Sequence, residues 1–390
     1  MRLQHLVDRR LGAVTVASIA LATAACGDSG GDDDAAAADT DGFAAENYTT
    51  DLTEVCPETI AVQTGWFPQP ERGPLYQLIG AGGTTDPDAG TYSGPLGSTG
   101  VELEIRIGGP FVGDQSNTSL LYQDDDITLA EIGTDEGISL HGEFPTVAVV
   151  SPLEISPRIL MWDPATFEID ELSDIGETGA PVLVFGGEDA WVQYLVGTGD
   201  LKADQIDDSY DGSASRFASS QGSVIQQGYV TAEPYEYEEI LEEWGEPVDS
   251  TLVHDAGYQP YDGAISVRAD RLEELSPCLT ELVPIMQQAV VDYAADPEEV
   301  NDQLIEIADD LASFWSLDED RNAYAMETML ETGILGNGAN DTVGDFDEAR
   351  VTDLVDKTVP IFSDQQSNFD ASVTAEEIVT NEFIDPSIGL

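Results

Sequence analysis

Lysine is almost missing: Lys202 and Lys357 are the only two in 390 residues. With arginine there are 13 basic residues against 77 acidic ones, a formal charge of −64. Such a surface repels nucleic acid and anionic lipid, which excludes both as expected partners. It stays soluble where salt screens the self-repulsion, so the composition predicts a high-salt source. Histidine is scarce too, with only His5, His141 and His254. No His/Cys cluster therefore has metal-ligand spacing, and neither a metal nor a cofactor is expected. No Gly-x-Ser-x-Gly elbow or Walker loop appears. Carboxylates are so frequent that any two meet by chance, so pairs of them do not argue for acid–base catalysis. Nothing in the chain points to an enzyme.

One apolar run is present, Leu11 to Thr23, behind the basic Arg2, Arg9 and Arg10. It has the length of an export-signal core and is too short for a spanning helix. Small residues Ala22-Thr23-Ala24-Ala25 lead to Cys26. That ending resembles a bacterial lipobox, in which the cysteine receives a lipid; an ordinary cleaved signal with an incidental Cys26 is the alternative. Residues 1–25 are thus expected to be a signal peptide. Residues 26–55, rich in Gly, Asp and Ala, are expected to form a flexible tether. A body held outside the cytoplasmic membrane sits in an oxidising place. The two remaining cysteines, Cys56 and Cys278, then suggest one disulfide, with two buried thiols as the alternative.

Beyond Ile60 short apolar strands alternate with helical patterns, the rhythm of an α/β protein. Strands are predicted at 60–63, 101–107, 126–133, 146–153, 159–162, 181–185, 223–230 and 251–254. From Ala264 onward the chain reads as mainly helical. Pro284 is expected to begin a helix there, and Leu304, Ile307, Leu311, Phe314 and Trp315 read as a core-facing stripe.

The first strand runs into Thr64-Gly65-Trp66-Phe67-Pro68-Gln69-Pro70-Glu71-Arg72-Gly73-Pro74. A rigid aromatic loop with polar groups beside it suits a small flat ligand, though it also reads as a Pro-rich connection whose Trp66 packs inward. Three other polar groups follow predicted strands: Thr134-Asp135-Glu136, Gly187-Glu188 and Tyr229 with Glu233. In open α/β sheets ligands bind beyond the carboxyl ends of the strands. The candidate ligand set is therefore Trp66, Gln69, Glu71, Arg72, Thr134, Asp135, Glu136, Gly187, Glu188, Tyr229 and Glu233.

The 63–76 stretch resembles the opening of substrate-binding proteins of ABC importers, in the group spanning thiamine-pyrimidine-precursor, riboflavin, nitrate, sulfonate and taurine binders. The similarity extends through Gly108-Gly109-Pro110, Gly228-Tyr229 with Glu233-Pro234, and Leu275-Ser276-Pro277-Cys278. Arg72 stands where the pyrimidine branch carries histidine. The resemblance implies a two-lobed periplasmic-binding-protein-like fold of the second type. Lobe one would combine 57–151 with 258–390, lobe two would be 152–257, and the hinge would lie near Ser151-Pro152 and His254–Tyr258. It also implies a monomer on the outer face of a bacterial cell membrane, working with a permease and an ATPase. Four acids and one base (Glu71, Asp135, Glu136, Glu233 and Arg72) favour a neutral or cationic heterocycle, such as an aminopyrimidine-like thiamine precursor. A sulfonate, taurine or nitrate binder is the alternative. A pyrimidine-synthase-like enzyme and an anchored sensory protein are the other readings.

Overall fold

The computed structural model describes residues 47–210 and 212–390. The expected signal peptide, the lipobox Cys26 and most of the tether lie outside the described residues. Among the described residues twelve strands form two sheets. In the first, β1 (Thr59–Gln63) lies between β4 (Glu102–Arg106) and β5 (Ile127–Glu131), parallel to both. β1 and β5 are buried on both faces, as parallel strands covered by helices require, whereas β4 alternates. A hairpin, β2 (Thr84–Asp86) and β3 (Thr91–Pro95), extends the edge beyond β4. On the other side β12 (Ile265–Arg268) runs antiparallel between β5 and β6 (Thr146–Val150).

The second sheet holds β7 (Arg158–Trp162), β8 (Val182–Leu183), β9 (Ile206–Asp207), β10 (Ile225–Tyr229) and β11 (Asp249–Leu252) in the order β11-β7-β10-β8-β9. β8, β9 and β10 are parallel, and β7 is antiparallel to β10. The chain passes between the sheets twice, through 151–157 and 253–264. Arg350 ties these two connections together: it donates to the carbonyls of Gln259, Pro260 and Glu154 at 2.8 Å each, and to Glu154 Oε1 at 2.9 Å.

Past Ala264 the chain is mainly helical, as expected, but Ile265–Arg268 first joins the first sheet as a strand that the sequence did not announce. Four residues are too few for their period to be read against the helices that follow. Pro284 does not begin a helix; it lies inside Leu272–Ala295, as Pro277 does. An interior proline costs about 3 kcal/mol. That cost is offset by the buried stripe Leu275, Leu279, Leu282, Met286, Ala289 and Tyr293. Cys278 on this helix is disulfide-bonded to Cys56, just ahead of β1. Among the described residues no helix is long and apolar enough to cross a membrane.

Candidate functional site

The prolines after β1 delay helix formation. Only a single 3-10 turn, Pro70–Arg72, interrupts the loop before Gly73. This leaves Phe67 turned into the core, 2% exposed, and Trp66 half-buried beside it. Trp66 rests on Gly109, whose φ of +59° favours glycine and whose absent Cβ would lie 2.5 Å from the indole. The Gly108-Gly109-Pro110 stretch thus seats the tryptophan.

A cavity of about 770 Å³ opens at this loop. One side is Trp66, Gln69, Glu71 and Arg72, with Glu131 at the end of β5. Facing side chains come from the second sheet: Arg158 at the start of β7, Gln227, Tyr229 and Thr231 along and beyond β10, and Glu233. A third group is Phe314 and Trp315, from the connection after the helix Glu298–Asp310, with Arg321 and Asn322 in the first turn of the helix Glu319–Thr332. Thr231 donates its hydroxyl to Glu71 Oε1, so the two sheets' loops touch across 160 residues.

Arg72 is spent on structure. Its Nε and Nη2 reach Glu131 Oε2 and Oε1 at 2.8 Å each, and the Gly65 N–H donates to the same carboxylate. Burial opposes the charge on Arg72, but Glu131 outweighs it and raises the guanidinium pKa. A bidentate pair of this kind cancels its own charge and braces the Trp66 loop against β5. Glu233 accepts from the Tyr229 N–H at 2.7 Å, and burial pushes its carboxyl up to about 7. Burial also raises Asp189, which lines the cavity, with Arg158 acting in the opposite direction.

Of the eleven candidate residues, the structure gathers Trp66, Gln69, Glu71, Arg72, Tyr229 and Glu233 around one cavity. It places the other five elsewhere. Thr134 caps into the 253–264 connection, accepting from the Tyr261 N–H. Asp135 accepts from Tyr258 at 2.8 Å, and Glu136 accepts from Thr118 on a neighbouring helix. Gly187 and Glu188 offer only carbonyls, to Gln193 and Gln365. Thr134, Asp135 and Glu136 form the first turn of the helix Thr134–Leu140, and their side chains are taken by its packing partners; Gly187 and Glu188 lie ahead of the helix Ala190–Thr198.

The sequence reading missed Arg158, Arg321, Phe314 and Trp315. The last two were expected to face the core. Instead the helix ends at Asp310, Ala312 adopts a φ of +49°, and the chain turns outward. Phe314 is 69% exposed, and Trp315 stands 5.9 Å from the Trp66 ring centroid at 86°. Arg321 lies over Trp315 at 5.1 Å and pairs with Glu236 at 3.5 Å. Among the described residues no group of three or more His, Cys, Asp or Glu could hold a metal ion.

Two mixed sheets flanked by helices, joined by two connections and enclosing a cavity between strand ends, make the periplasmic-binding-protein fold. Solved structures share it. The alkanesulfonate-binding protein SsuA from Xanthomonas axonopodis pv. citri, bound to MOPS, superposes with a TM-score of 0.51 at 12% identity, covering 83% of this chain and 99% of that one. A protein described as a sulfonate ABC transporter, periplasmic sulfonate-binding protein SsuA, from Methylobacillus flagellatus KT gives 0.52 at 14% identity, covering 83% and 92%. At such identity the likeness is one of fold. No protein-family model matches the chain, and no curated protein matches it.

Proposed function

We propose that this protein is the extracytoplasmic substrate-binding component of an ABC importer, capturing a small ring-bearing organic molecule in the cavity between its sheets. The observation that carries the reading is the shared cavity: strand-end residues of both sheets, Trp66 and Glu71 from one and Tyr229 and Thr231 from the other, line a single space. The lobes would follow the sheets, 57–151 with 258–390 and 152–257, hinged at the two connections that Arg350 clasps. A ligand touching both lobes stabilises their closed arrangement by its differential affinity for it. The closed form would dock on a permease powered by an ATPase. The lipobox-like Cys26 would hold the protein, as a monomer, to the outer face of the membrane.

Trp66 offers a face for a flat ring, and Glu71 and Glu233 accept hydrogen bonds from amine or amidine nitrogens. An aminopyrimidine-like heterocycle, such as a thiamine precursor, suits them. Asp135 and Glu136 do not line the cavity, whereas Arg158 and Arg321 do; with Asp114, Glu131, Asp189, Glu236 and Asp262 also there, the lining stays acidic but offers an anion two further arginines. Arg158 and the two sulfonate-binding fold neighbours favour a second reading, a sulfonate binder. A thermal-shift screen with pyrimidines, flavins, amines, sulfonates and nitrate decides between them. A ligand at about 100 times its dissociation constant adds about 2.7 kcal/mol of stability. No shift from any class would overturn the proposal.

A further inference from the structure

The guanidinium of Arg158 lies 5.4 Å from the Trp191 ring centroid and 5.7 Å from that of Tyr229. Held against two rings, it makes no side-chain hydrogen bond among the described residues. The carboxylate within ion-pair distance is Asp262, at 3.9 Å, and Asp262 already accepts from Ser156 at 2.9 Å. Asp135 spends its oxygens on Tyr258 and on the Glu136 N–H. The other cavity arginines differ: Arg72 is bidentate to Glu131, and Arg321 serves Glu236 and the Ser316 carbonyl. Arg158 therefore presents an unspent N–H fork to the cavity.

Unspent acceptors sit on another side of the same space. Glu71 gives Oε1 to Thr231, while its Oε2 accepts no hydrogen bond among the described residues. Asn322 donates to the Asn301 carbonyl at 3.2 Å, and its Oδ1 is buried without a partner. Asn322 lies on the helix that packs against the Pro70–Arg72 turn, so both acceptors belong to one wall. Asn322 is fully buried, so Glu71 Oε2 is the acceptor this wall offers to a ligand.

We infer that the cargo is two-ended: a ring-bearing zwitterion whose carboxylate or sulfonate is taken by Arg158 and whose protonated nitrogen is taken by Glu71. This rests on the binding-protein reading and narrows its ligand class. Asp135, Asp189 and Asp262 surround the guanidinium, so only an anion in direct contact with the N–H fork overcomes their repulsion.

The test is isothermal titration of the full chain with 4-(aminomethyl)benzoate, benzylamine, benzoate and benzyl alcohol. The two-ended probe should bind most tightly. Arg158→Gln should weaken both carboxylate probes about tenfold or more while leaving benzylamine within about twofold, the loss expected for a charge-assisted pair. Glu71→Gln should do the reverse. Arg158→Lys keeps the charge without the fork and should fall between wild type and Arg158→Gln. It also supplies the answer if circular dichroism shows Arg158→Gln unfolded. Benzylamine binding as tightly as the two-ended probe, or carboxylate binding indifferent to both Arg158 variants, overturns the inference alone. If no probe binds the wild type, the ring-binding cavity falls with it.

Discussion

The loops after β1 and β5 leave neighbouring parallel strands of one sheet, and both are rich in polar residues. They end differently. The first carries Trp66, Gln69 and Glu71 to the cavity; the second commits Thr134, Asp135 and Glu136 to Tyr261, Tyr258 and Thr118. The difference lies in the turn. After β5 a helix begins at once, with Gly133 as its cap, and its first-turn acids fold back. After β1, Pro68 and Pro70 hold off the helix long enough for side chains to project. A carboxylate's role is decided by how soon its backbone becomes helical.

This contrast can be broken or sharpened by measurement. The largest expected effect concerns what anchors the β1 side. Cys56→Ser opens a crosslink spanning 222 residues, and loop-closure entropy predicts a loss of about 5 kcal/mol. Denaturant unfolding with and without reductant checks it, since the variant should show no further response to reductant. Within the β1 loop itself, Phe67→Ala should cost about 3–5 kcal/mol of stability through its cavity. Trp66→Ala should change stability far less but weaken ligand binding by about 30-fold or more, as loss of a buried aromatic anchor does. Wild-type affinity in the Trp66 variant would make that indole a packing residue.

On the β5 side the pattern should invert. Asp135→Asn is expected to lower stability by about 1–3 kcal/mol through its bond with Tyr258 without weakening ligand binding. A loss of affinity would return the β5 loop to the site. The smallest effect is one of pH. Glu233 has an ordinary pKa of 4.5 and a folded value of about 7, so the folded state holds the extra proton. Its penalty is absent below the unfolded value, grows as pH rises between the two, and is complete above about 7. Glu233→Gln should therefore flatten part of the fall in stability between pH 5 and 8, by a few kcal/mol at most. Parallel wild-type and variant curves would show that Glu233 titrates normally.

Much of the fold was legible locally. Runs such as Ile60–Gln63 and Thr146–Val150 are short, apolar and bounded by turn residues, and they became buried strands of the first sheet, the one central and the other at its end. β12 and the continuation of the helix through Pro284 were not legible. A four-residue strand carries too little periodicity, and burial overrides proline's local preference. The site divides in the same way. The Trp66 loop announces itself by composition, whereas nothing around Arg158 distinguishes it from Arg72.

The sequence by itself determined the acidic surface, the export-like N-terminal pattern, the α/β rhythm and the aromatic loop after β1, because charge, hydropathy and proline act over a few neighbouring residues. Tertiary structure alone decided which charges are spent. Arg72 meets Glu131 across 59 residues and Glu71 meets Thr231 across 160, while Arg158 finds two rings, Asp262 at ion-pair distance and, among the described residues, no side-chain hydrogen bond. Pairing is a property of distance in space, and one-dimensional spacing does not carry it.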